Sequence, residues 1–152
     1  MNLRELIGSM NKQERIAWLG VASLMPVALY LAWQLFVSAI GGEGHASVAT
    51  QRTGGRIFMV YMACYCWIVF RDKSRFSDER DRLIAIRGVA AAYLLLALVM
   101  IGVAFTIASP RWQPYWTSRS PAWLEAFFMF CLIASLALGW CTRVAHYWRD
   151  RR

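Results

Sequence analysis

Three long stretches of this chain carry no charged side chain: between Arg15 and Glu43, between Arg87 and Arg111, and between Glu125 and Arg143. A helix in a water-soluble domain keeps one polar face, so charges recur along it. Uncharged apolar runs of about 18 residues or more read instead as membrane spans. The apolar share of 59% is also above the roughly 45–50% of ordinary globular domains. The fold class this predicts is all-α: a membrane-spanning four-helix bundle, one integral membrane domain over residues 1–152, with a short N-terminal amphipathic helix. That short helix follows from Leu3, Leu6, Ile7 and Met10, which fall on one helical face and suit a membrane surface.

The spans can be placed from their punctuation. The first covers residues 16–40, opened by the capping-box spacing of Asn11 and Glu14. It gives about 37 Å of helix, enough to cross roughly 30 Å of hydrocarbon with some tilt. Pro26 removes a backbone hydrogen bond at mid-span and predicts a kink. Gly41, Gly42 and Gly44 mark the exit. The second span, residues 55–70, is short: its apolar core, 57–70, makes only about 21 Å of helix, so a re-entrant or interfacial segment is the alternative. Arg56 and Arg71 flank it and can snorkel. Ser77 is the expected N-cap of the third helix, with Asp78 and Glu79 in the first turn. That helix enters the membrane near Gly88, spans 88–108 and stops at Ser109-Pro110. A tight loop follows, whose Trp112, Tyr115 and Trp116 suit the headgroup level. Pro121 opens the fourth span, 121–142, and the basic tail 143–152 continues it out of the membrane.

Charge fixes orientation. With four spans and an inside N-terminus, 13 Lys and Arg lie inside and 4 outside (Arg52, Arg56, Arg111 and Arg119), as the positive-inside rule favours. A three-span, N-outside arrangement scores 12 to 5, so counting alone does not separate the two. The unbroken apolar run 57–70 favours four spans, because leaving it in water is costly. The expected location is the plasma membrane, as a bacterial inner-membrane protein with both termini cytoplasmic. The first apolar run is too long for a cleavable signal peptide and no small-residue cleavage site closes it.

Several functions are disfavoured. The net charge of +8 comes from residues at the ends of apolar runs, not from a basic groove with interleaved aromatics, so nucleic acid is not an expected partner. Cys64, Cys66, Cys131 and Cys141 lie in or at the ends of spans, where no oxidising loop would pair them; Cys64 and Cys66 point to different helix faces. His45 and His146 fall at opposite ends of the bundle and cannot share one haem. A small proton-coupled exporter requires a carboxylate near mid-membrane, and spans one to three hold none. No cofactor, metal ion or catalytic residue is expected.

The candidate sites are few. Gln34, Arg56 and Glu125 fall at the outer ends of three different spans, and a bundle would bring them to one level as a polar cluster. Gly88 with Ala92, and Ser135 with Gly139, are small-xxx-small pairs suited to close helix packing. At the inner surface, Asp78, Glu79, Arg80 and Asp81 form a docking candidate for a cytoplasmic partner, or simply a capped helix start with charge pairs such as Asp78 to Arg82. This stretch, Asp78-Glu79-Arg80 followed by Ile84 and then Gly88 onward, resembles uncharacterised small prokaryotic four-span integral membrane proteins in which an Asp-Glu-Arg motif opens a transmembrane helix. The resemblance covers the third helix and implies a membrane location, with no activity to carry over. The expected function is non-catalytic: an accessory, regulatory or protective protein acting through a partner. Beyond the lipid bilayer itself, that partner is another membrane protein or a second copy of the chain. Alternatives are a subunit of an oligomeric transporter or channel, and a lipid-directed enzyme using Asp78, Glu79 or Asp81.

Overall fold

The charge-free stretches are helical. The computed structural model describes residues 12–41, 56, 59–61, 63 and 78–150. They form α1 (Lys12–Gly41), α2 (Glu79–Ala108), the one-turn α3 (Gln113–Thr117) and α4 (Pro121–Arg149). Residues 56, 59–61 and 63 are also helical, and no strand occurs among the described residues. Helices α1, α2 and α4 are each long and apolar enough to cross a membrane. The expected amphipathic helix around Leu3 to Met10, the loop beyond Gly41, most of the run 57–70, and His45, Cys64 and Cys66 lie outside the described residues.

Local chemistry explains the helix ends. Asp78 caps α2: its backbone is extended (φ −138°, ψ 141°) and its carboxylate accepts from the Arg80 N–H at 3.5 Å. The cap therefore falls on Asp78, one residue after the expected Ser77, because a carboxylate reaches a free backbone N–H as well as a hydroxyl does. Ser109 ends the helix in an extended conformation (φ −81°, ψ 124°), as the following Pro110 requires. The connection expected as a tight loop holds α3, which begins beside Pro114, a residue whose fixed φ suits a first helical turn. Ser120 then caps α4, its hydroxyl accepting from the Trp123 N–H at 3.3 Å, with Pro121 opening the helix. Helix α4 continues past Cys141 to Arg149, and α1 runs unbroken through Pro26.

Helix α4 is the hub, with α1 and α2 both packed on it. Small residues set how close they come. A Cβ on Gly139 would lie 2.8 Å from the Gly88 carbonyl oxygen and 3.0 Å from Ala92 Cβ. Three of the four expected small residues thus meet at the α2–α4 crossing; Ser135, the fourth, is buried and its hydroxyl donates to the Cys131 carbonyl at 2.6 Å. On α1, a Cβ at Gly20 would lie 2.5 Å from the Trp140 ring. From these contacts the buried residues of α1 run on through Leu24, Val27, Ala28 and Leu31, while those of α4 run back through Ala137 and Ile133 to Cys131. Both α1 and α2 are therefore antiparallel to α4, and their starts share one end of the bundle with the finish of α4.

The outer surface is apolar. Tyr93 and Phe105 on α2 are 73% and 75% exposed, and Leu29, Trp33 and Phe36 on α1 are exposed as well. Such a surface is costly in water and natural in hydrocarbon.

Candidate functional site

Ionisable side chains converge where α1 and α2 begin and α4 finishes. The helical stripes put them there. Asp81 stands three and seven residues before Ile84 and Gly88, so it shares their buried face. It is 3% exposed, and its Oδ1 accepts from the Tyr147 hydroxyl at 3.0 Å. One residue earlier, Arg80 Nε donates to Asp150 Oδ2 at 3.1 Å. The two bridges tie the first turn of α2 to the last turn of α4. On α1, Glu14 is 5% exposed and precedes the buried Ala17 by three residues. Slightly deeper, the Arg143 guanidinium lies 4.3 Å over the Trp140 ring, and the Trp140 indole N–H donates to the Tyr61 hydroxyl at 2.7 Å. Trp140 thus touches α1 through Gly20, carries Arg143 on its face, and holds the helical segment that contains Tyr61.

The four residues of the expected docking candidate take different roles. Asp78 caps the helix, Arg80 is engaged with Asp150, and Asp81 is buried against Tyr147. Glu79 is exposed. A partner approaching from water therefore meets Asp78, Glu79 and the outer part of Arg80, while Asp81 is turned into the bundle.

The opposite end is aromatic. Trp123 and Phe127 stack with centroids 5.5 Å apart and planes 6° from parallel, and Trp116 stands edge-on to Phe127 at 5.6 Å. Arg119 lies 4.4 Å from the Tyr115 ring centroid and 5.0 Å from that of Trp123. Of the expected outer polar cluster, Gln34 is half-buried, while Arg56 and Glu125 are exposed. Among the described residues no hydrogen bond or ion pair joins these three.

Cys131 and Cys141 are free thiols, the first buried and the second half-buried. Among the described residues no three His, Cys, Asp or Glu side chains stand close enough to hold a metal ion. What the geometry shows is linkage between helices. The sequence reading missed Glu14, Asp81, Tyr147 and Gly20 as interior positions. A stripe analysis carried outward from Ala17 and Ile84 would have reached Glu14 and Asp81. The chain matches no family model, no curated protein and no solved structure.

Proposed function

We propose that this chain is a four-span protein of a bacterial inner membrane, with both termini and Asp78 on the cytoplasmic side. In this reading it works without catalysis, as an accessory, regulatory or protective partner of another membrane protein. The four-span part is supported by helix direction. Because α1 and α2 start at the same end of the bundle, the chain between them must return across the full helix length. The three-span alternative would make α1 and α2 antiparallel to one another. The bond from Trp140 to Tyr61 supports a return path against α4. The resemblance of Asp78-Glu79-Arg80 to small prokaryotic membrane proteins agrees with the location.

One observation carries the partner reading. At the inner end Arg80, Asp81, Tyr147 and Asp150 are engaged within the chain, whereas α2 leaves most of its apolar length uncovered by other described residues. A helix held on one side only has a second side available for a neighbouring span. The test is photo-crosslinking in native membranes from probes at Tyr93 and Phe105. A discrete adduct of the same protein from both sites, also recovered by co-purification in mild detergent, is the expected result. Adducts with lipid alone would overturn the partner reading. Adducts between copies of this chain would favour the oligomeric transporter or channel instead.

A further inference from the structure

Charge at the inner end is sorted by radius in part, since Asp78 and Glu79 are exposed. The carboxylates of Glu14 and Asp81 face inward, 5% and 3% exposed. Arg15, Arg82 and Arg87 face outward, and their guanidinium groups form no hydrogen bond or ion pair with the described residues. Arg15 and Arg82 also stand above apolar surface. On α1, Trp18 and Leu19 lie three and four residues deeper than Arg15 on the same face, and both are exposed. On α2, Ile86 lies four residues deeper than Arg82, with Leu83 beside it, again exposed. Two helices therefore repeat one order from the end inward: an unpaired guanidinium, then a bulky apolar side chain about 5–6 Å deeper.

We propose that this end of the bundle binds anionic phospholipids, with Arg15, Arg82 and Arg87 holding headgroup phosphates and Trp18, Leu83 and Ile86 meeting the upper acyl chains. A guanidinium matches phosphate oxygens through two parallel N–H donors. Turning Glu14 and Asp81 inward keeps those two carboxylates from competing with the phosphate, while Asp78 and Glu79 stay exposed at the start of α2. Free inorganic phosphate would satisfy the arginines but leave the apolar half of each pair in contact with nothing. The proposal rests on the membrane reading above.

The test reconstitutes the full chain into nanodiscs of phosphatidylcholine, with and without phosphatidylglycerol, and measures retained lipids by native mass spectrometry. The expected result is selective retention of phosphatidylglycerol, falling by roughly fivefold for each arginine changed to Gln. Arg→Lys changes at the same positions should keep most of it. Equal retention of the two lipids by the unaltered chain would overturn the proposal, as would undiminished selectivity in the triple Gln variant. Displacement by inorganic phosphate, beyond that by chloride at equal ionic strength, would overturn it in favour of a free-phosphate site. Should the triple variant fail to fold, a salt titration of the unaltered chain serves: selectivity should decline with ionic strength, and salt-independent selectivity would overturn the proposal. A chain that enters neither disc would overturn it through the membrane reading itself, whereas entry without preference would leave that reading standing.

Discussion

At the scale of single residues, the Asp81–Tyr147 bond is the most consequential polar contact. A buried carboxylate that loses a hydrogen-bond donor retains its desolvation penalty, so Tyr147→Phe should cost about 1–3 kcal/mol. Asp81→Asn keeps the shape and removes the charge, and the loss on adding Tyr147→Phe to it should be smaller than in the unaltered chain, because neighbours in one network are not additive. Unfolding midpoints of the two single variants and the double variant in one detergent check this; strict additivity would show that the bond contributes little. Glu125→Gln, at an exposed position, should leave the midpoint close to unchanged. The charged run from Asp78 to Arg82 hid the burial of Asp81 in the sequence, because composition there suggests a solvated helix start. Periodicity held the contrary signal, since Asp81, Ile84 and Gly88 share a stripe. Gly20 was illegible for a different reason: which ring a glycine faces depends on a partner more than a hundred positions away.

At the scale of elements, the α2–α4 crossing was legible because small residues four apart allow close backbone approach, whatever the surrounding sequence. Gly139→Val should therefore separate the two helices. Its new side chain would meet the Gly88 backbone, which cannot move aside as a flexible side chain can. A loss of about 1–3 kcal/mol is expected from overpacking, read as a lower unfolding midpoint. Gly102→Ala is the control on the same helix pair. Nothing lies within 4 Å of a Cβ at Gly102, and alanine is the better helix former, so that variant should be neutral or more stable. Equal losses at Gly139 and Gly102 would show that helix propensity, not the crossing, decides. The caps around Pro110 and Pro121 were readable because proline chemistry acts locally. The turn of α3 was not: its five residues, QPYWT, are too few to carry a periodic pattern.

At the scale of the whole molecule, the length and apolarity of three helices were plain from the charge-free runs, whereas their relative directions came only from long-range contacts. Those directions and the distribution of charge bear on the same question from independent sides. With α1 and α2 both packed on α4 and pointing the same way, the proposed membrane placement gives an even number of crossings between the start of α1 and the finish of α4. In the proposed four-span arrangement charge then puts the shared end in the cytoplasm: 13 basic residues against 4. The aromatic and Arg119 cluster at the far end fits the opposite headgroup layer, where amphipathic rings concentrate. Reporter fusions test the combined argument. Alkaline phosphatase joined after Gly44 or Ser118 should be active, because both sites then lie outside. Joined after Asp78 or Arg152 it should be inactive, and a fluorescent reporter at those two sites should mature. Phosphatase activity after Asp78 would place the starts of α1 and α2 on opposite faces or invert the bundle. Inactivity after Gly44 together with activity after Ser118 would mean that residues 57–70 do not cross, despite the shared direction of α1 and α2.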